Sequence, residues 1–159
     1  METYLVIGRT IVKALLPRGS PVAVFDLVQR DFDEKVQYFS TDPIALGDAI
    51  KKSGATILFQ TASPHYDAPV AVNYKVSVDD TKTLLEVASA NGFIPVAQIS
   101  FSTLGMPETS TNGFPFRKNS LSSYNKTKGI TEELVLEANG KNGLLTVATR
   151  PSGIYGPQD

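Results

Sequence analysis

The stretch Tyr4-Leu5-Val6-Ile7-Gly8-Arg9-Thr10-Ile11-Val12-Lys13-Ala14-Leu15-Leu16-Pro17-Arg18-Gly19-Ser20-Pro21-Val22-Ala23-Val24-Phe25-Asp26-Leu27 decides the fold. Its first five residues form a compact apolar run ending in Gly8, which predicts a buried strand. Residues 9–16 follow with Ile11, Val12, Ala14, Leu15 and Leu16 at helical spacing, closed by Pro17 and Gly19. Residues 22–27 (VAVFDL) return to a strand-like run. Strand, helix and strand thus follow one another without a break.

The same alternation continues in the carboxyl direction. Residues 36–39 predict a third, shorter strand, residues 44–52 a helix stopped by Gly54, and residues 56–60 (TILFQ) a fourth strand. Residues 73–91 carry the strongest helical signal, with Val76, Leu84, Leu85, Val87 and Ala88 on one side and Gly92 behind. Residues 96–100 (VAQIS) predict a fifth strand. A long polar loop with Pro107, Asn112, Gly113 and Pro115 follows, unusual for a compact domain and so a candidate functional loop. A helix over 122–138 ends near Gly140, and residues 145–150 form a sixth strand. Apolar strands alternating with helices imply an α/β, doubly wound parallel sheet, covered on both faces. Its ligands belong at the carboxyl ends of the strands, near the switch in strand order.

Composition bounds the function. A chain of 159 residues suffices for one domain with a real core. Hydrophobic residues make up 42% and charged residues 19%, values of a globular protein. The formal net charge of -1 and the lack of any Lys/Arg block argue against a nucleic-acid partner. The absence of cysteine excludes disulfides, thiol catalysis and cysteine metal sites. No run approaches the ~18 apolar residues of a membrane span, and Met1-Glu2-Thr3-Tyr4 lacks the features of a signal peptide. A soluble, cytoplasmic chain is expected, with no metal site.

Tyr124-Asn125-Lys126-Thr127-Lys128 opens the helix after the polar loop. Residues four apart share a helical face, so Tyr124 and Lys128 lie one turn from each other. A neighbouring ammonium favours tyrosinate, as needed to take or return a hydroxyl proton while a hydride moves on carbon. The spacing alone is weak, since surface helices contain it by chance.

Other segments add weight. The run Tyr74-Lys75-Val76-Ser77-Val78-Asp79-Asp80-Thr81-Lys82-Thr83-Leu84-Leu85-Glu86-Val87 resembles the Y-K-V-N-V-x-G-T-x-x-L-L-E helix of the extended short-chain dehydrogenase/reductases. Thr61-Ala62-Ser63-Pro64 resembles the turn after the fourth strand in their 3β-hydroxysteroid dehydrogenase branch. Arg150-Pro151 with Ile154-Tyr155-Gly156-Pro157 is similar to that branch's R-P-x-x-I-Y-G-P turn. On these residues the chain resembles the NAD-binding half of the 3β-hydroxysteroid and decarboxylating sterol-4α-carboxylate 3-dehydrogenases. The resemblance implies one Rossmann-like NAD(P)-binding domain over residues 1–159, with NAD as cofactor and a sterol-like or polycyclic substrate. Tyr124 would be the catalytic base, with Lys128 its partner and a ribose contact. Gly8 would meet the phosphates, Asp26 the adenosine ribose, and Asp42 the adenine. Ala62 would line the adenosine channel and Pro151 border the nicotinamide. A carboxylate at Asp26 repels a 2′-phosphate and so favours NAD over NADP. The resemblance also implies peripheral association with the endoplasmic reticulum.

The chain departs from that pattern at several points. The family's G-x-x-G-x-x-G turn is shortened here to Gly8 alone, about half a dozen residues fewer, which removes the usual phosphate cradle. Phe101 falls where the family has its catalytic serine, leaving Ser102 or Ser100 as substitutes. Ser77 replaces an Asn and Asp80 a Gly. The family's carboxyl-terminal substrate region is absent, which predicts an open sheet edge and makes a homodimer the expected assembly. His65, the single histidine, follows Pro64 at the mouth of the site and is a proton-transfer candidate, although a lone loop histidine is more often incidental.

Three functions are compatible with these residues. The first is an NAD-dependent oxidoreductase acting on a 3β-hydroxyl. The second is a truncated relative without redox activity, serving as a binding subunit. The third is a cofactor-independent isomerase or cyclase using Tyr124 or His65 as acid or base.

Overall fold

The computed structural model describes residues 2–7, 11–27, 33–40, 46–91, 96–99 and 122–150, the segment 96–99 by its backbone alone. Six parallel strands form one sheet: β1 (Tyr4–Ile7), β2 (Val22–Phe25), β3 (Val36–Phe39), β4 (Ile57–Gln60), β5 (Val96–Ile99) and β6 (Thr146–Thr149). Their order is β3-β2-β1-β4-β5-β6, so the direction of winding reverses between β1 and β4. This is the doubly wound, Rossmann-like arrangement expected from the sequence.

Alternation along each strand sends side chains to two separate cores. Leu5, Ala23, Phe25 and Leu58 face one side and pack against the helices α2 (Leu46–Ser53), α4 (Asp80–Ala90) and α5 (Ser123–Ala138). Tyr4, Val6, Val22 and Val24 face the other side, where Val12 and Leu15 of α1 (Val12–Leu15) cover them. Right-handed crossovers to the left and to the right of β1 place their helices on opposite faces, which explains the division. Leu5, Val6 and Leu58 are fully buried, at about 1.5–3 kcal/mol of stabilisation each. At the far edge, Val147 of β6 lies on the α1 face and remains half exposed.

Two helices differ from expectation. The first is α-helical only over Val12–Leu15 and then tightens into a 3-10 turn over Leu16–Arg18, ended by Gly19 at φ 70°. Pro17 sits inside this turn rather than closing the helix, because a first-turn proline loses no hydrogen bond there. The second begins at α3 (Val70–Asn73), just after Pro69, and runs through a π-helical turn (Tyr74–Asp79) into α4. Such wide turns concentrate at functional sites. No helix among the described residues is long and apolar enough to cross a membrane.

Candidate active site

The carboxyl ends of β1, β2 and β4 surround a cavity of about 150 Å³. Its walls are mostly apolar, with Ile7, Phe25, Leu46, Val76 and Leu84 among them, and Asp26 supplies a carboxylate at the rim. Asp26 follows β2 directly, and its N–H donates to the Phe39 carbonyl at 3.2 Å, continuing the ladder with β3. Ala62 lines the same cavity. Asp80 lines the cavity as well, but its carboxylate is paired with Lys75 at 3.2 Å. A largely apolar cavity with the Asp26 carboxylate at its rim suits a nucleoside, whose ring needs contact area and whose ribose hydroxyls need an acceptor.

The loop after β4 links this cavity to Tyr124. Thr61 is fixed to β1 twice, its N–H and hydroxyl both donating to the Ile7 carbonyl at 2.8 and 2.7 Å. The Ala62 N–H donates to Gln60 Oε1 at 3.0 Å. One residue on, Ser63 Oγ lies 3.3 Å from the Tyr124 hydroxyl. Ala62 therefore faces the cavity while its neighbour meets the tyrosine.

Helix α5 holds Tyr124 from the other side. Ser122 caps it, its hydroxyl accepting from the Asn125 N–H at 3.2 Å. Lys128, one turn on, is buried with 3% of its surface exposed, and its ammonium lies 5.5 Å from the centre of the Tyr124 ring. Burial lowers the Lys128 pKa from 10.5 to about 8. A further turn on, Glu132 is also buried and is gripped by Arg150 just past β6. Arg150 Nε donates to both carboxylate oxygens at 2.9 and 2.8 Å, and Nη2 donates to Oε1 as well.

The segment 70–90 packs against α5 along a polar seam. The fully buried Asn73 donates through Nδ2 to the Ala68 carbonyl at 2.9 Å and to Ser123 Oγ at 3.2 Å. The Thr131 hydroxyl lies 3.0 Å from the Ser77 carbonyl and 2.7 Å from that of Thr127. Asn73 Oδ1, Ser77 Oγ, Thr81 Oγ1 and Asn125 Oδ1 are buried along the seam without a hydrogen-bond partner among the described residues. His65 is exposed on the loop, with Nδ1 against the Asp67 carboxylate and its ring 4.5 Å from that of Tyr66. The hydrogen bond from His65 holds the Asp67 carboxyl below the usual carboxylate range.

Of the residues nominated from sequence, the structure brings Tyr124 and Lys128 together on α5, and Asp26 and Ala62 together at the cavity. Gly8, Asp42, Ser100, Ser102 and Pro151 lie outside the described residues. Sequence reasoning missed Ser63 as the neighbour of Tyr124, and it missed the Glu132–Arg150 pair. The spacing of Tyr124, Lys128 and Glu132 by four residues each was the available signal for the latter. No cluster of His, Asp or Glu suited to a metal occurs among the described residues.

Comparison with known proteins points the same way. A sequence model of the 3-beta hydroxysteroid dehydrogenase/isomerase family matches residues 6–159. The sterol-4-alpha-carboxylate 3-dehydrogenase, decarboxylating, of Mus musculus is 33% identical over 96% of the chain and 44% of its own length. Its namesake in Candida albicans is 32% identical over 87% of the chain and 44% of its own length. The chain thus spans somewhat under half the length of these relatives. Among solved structures, dTDP-glucose 4,6-dehydratase from Bacillus anthracis in complex with NAD superposes with a TM-score of 0.80. It covers 99% of this chain and 56% of that one at 20% identity, a likeness of fold. A short-chain dehydrogenase/reductase superfamily protein from Agrobacterium tumefaciens with bound NAD gives 0.75 at 28% identity, over 94% of this chain and 48% of that one.

Proposed function

Because the chain belongs to the 3-beta hydroxysteroid dehydrogenase/isomerase family, we propose that it oxidises a 3β-hydroxyl of a sterol or related polycycle with NAD as the acceptor. The observation that carries this reading is the buried Lys128 ammonium 5.5 Å from the Tyr124 ring, joined through Ser63 and Ala62 to a cavity with Asp26 at its rim. Both the apolar walls and the Asp26 carboxylate of that cavity fit the adenosine of a dinucleotide. Asp26 then accepts hydrogen bonds from the ribose and disfavours a 2′-phosphate. Gly8, Asp42, Ala62 and Pro151 complete the cofactor contacts in this scheme.

NAD, when bound, supplies the electrophilic carbon that accepts a hydride. The protein's own part is proton transfer. Tyr124 Oη takes the proton of the substrate hydroxyl as the carbinol carbon gives up its hydride and becomes a ketone. The Lys128 ammonium stabilises the tyrosinate form that begins this step. Ser63 Oγ, within reach of Tyr124 Oη, orients the hydroxyl, and Ser102 is the second candidate donor to the substrate oxygen. Where the substrate bears a carboxylate beside the new ketone, loss of CO₂ follows from the ketone's capacity to hold the developing enolate. The names of the relatives support this reading over a cofactor-independent isomerase, a cyclase or a non-redox binding subunit.

The test is NAD reduction, followed at the nicotinamide absorbance, with a 3β-hydroxysteroid and with its 4-carboxylated analogue. Activity in the full chain that Tyr124→Phe abolishes is the expected result. Equal turnover in that variant would overturn the assignment of Tyr124.

A further inference from the structure

Tyr124, Lys128 and Glu132 stand at successive four-residue steps of α5, so their side chains share one face, each a turn from the next. A Lys and a Glu in that relation pair readily, and here both are buried. Yet among the described residues Lys128 has no ion-pair partner, and its ammonium lies toward the Tyr124 ring instead. The reason lies just past β6. Arg150 occupies both oxygens of Glu132 in a forked grip, with side-chain exposures of 21% for Arg150 and 5% for Glu132.

We propose that Arg150 is a positioning residue for proton transfer: by holding Glu132, it denies Lys128 a carboxylate and leaves its ammonium directed to Tyr124. The proposal rests on the dehydrogenase reading for its functional meaning. Its geometry and its test do not.

Among the described residues, the other groups around Lys128 do not compete for it. From the segment 70–90, the buried residues nearest the α5 seam are Asn73, Ser77 and Thr81, all uncharged. The charged residues of that segment are accounted for elsewhere: Lys75 pairs with Asp80 at 3.2 Å, and Asp79, Lys82 and Glu86 are exposed. On the loop after β4, His65 and Asp67 are exposed and paired with each other. On α5 itself, Lys126, Glu133 and Glu137 are exposed; β6 carries no charged residue, and Arg150 follows it directly. Burial without a counter-charge is the cause of the lowered Lys128 pKa. A freed Glu132, one turn away, would reverse that and draw the ammonium off the tyrosine.

The experiment is a pH titration of Lys128 Cε by NMR in the full chain labelled with carbon-13 lysine, without cofactor or substrate. The resonance is assigned by its loss in Lys128→Met. The native chain should titrate near 8. In Arg150→Met the midpoint should rise by about 1 pH unit or more as Glu132 turns to Lys128. In the double variant Glu132→Leu with Arg150→Met it should return to the native value, because the released carboxylate is gone. Replacing both partners of a buried pair by apolar groups is generally tolerated. An unchanged midpoint in Arg150→Met, or a raised one that persists in the double variant, would overturn the proposal. If Arg150→Met does not fold, Arg150→Lys serves, since a point charge cannot hold both oxygens. A smaller rise is then expected, and no rise would overturn the proposal. Because no cofactor takes part, failure here is distinct from failure of the dehydrogenase reading.

Discussion

Helices α5 and α1 both follow a strand of the same sheet, but they are built to very different standards. Helix α5 has 16 residues, a serine cap, a buried apolar anchor in Val135 and a buried ion pair with the neighbouring strand. Helix α1 has four α-helical residues, with Ile11 at its cap position, no side-chain cap bond and no acidic residue in its first turn. A single turn has little cooperative stability of its own and little aligned dipole. The difference teaches that the proposed proton-transfer and cofactor-holding sides of the fold are built separately. The column of Tyr124, Lys128 and Glu132 on α5 is tightly determined. On the α1 side, the proposed dinucleotide would draw on the apolar cavity and Asp26 more than on the dipole of so short a helix.

The largest effect should come from breaking the α5 side of this contrast. Tyr124→Phe should lower kcat/KM by about 10²–10⁴ with thermal stability nearly unchanged, the range for loss of a general base. Steady-state kinetics with a 3β-hydroxysteroid checks this.

Lys128→Met should separate function from stability. The folded pKa of about 8 lies below the ordinary 10.5, so between these values the unfolded chain binds the proton and the folded chain does not. Native stability therefore rises with pH across that window, and the cost of the buried ammonium is fully present below pH 8. At pH 7 the variant should be more stable by about 1–3 kcal/mol while activity falls, and the gain should shrink toward pH 10. Urea unfolding at pH 7 and at pH 9.5 measures both.

On the weaker side, Asp26→Asn should reduce NAD affinity by about 10–100-fold and narrow the preference over NADP, since hydrogen bonds to a charged acceptor are lost. Calorimetry with both cofactors reads this. Ser122→Ala should cost about 1 kcal/mol by uncapping α5, visible in its thermal midpoint.

Much of this architecture is legible in the residues because local periodicity carries it. The six strands are short apolar runs, and their order follows from alternation with helices and right-handed crossovers. Tyr124 and Lys128 are legible as neighbours because the helical repeat guarantees it. Contacts between distant segments are another matter. Ser63 meets Tyr124 only because Thr61 pins the loop to β1, and Asn73 meets Ser123 only because the two helices pack. Arg150 reaches Glu132 because β6 returns alongside α5. The π turn at Tyr74–Asp79 and the 3-10 ending of the first helix also escape a simple 3.6-residue pattern. In both, backbone hydrogen bonding changes register while the apolar spacing stays much the same.

The central claim is that this domain binds NAD through the cavity at Asp26 despite its one-turn first helix. Thermal unfolding of the folded full chain across a range of NAD and NADP concentrations tests it most directly. A ligand that binds only the native state stabilises it by about 2.7 kcal/mol at a hundredfold excess over Kd. A midpoint that climbs with NAD, and less with NADP, is the predicted result. A midpoint that stays fixed at millimolar NAD would contradict the claim.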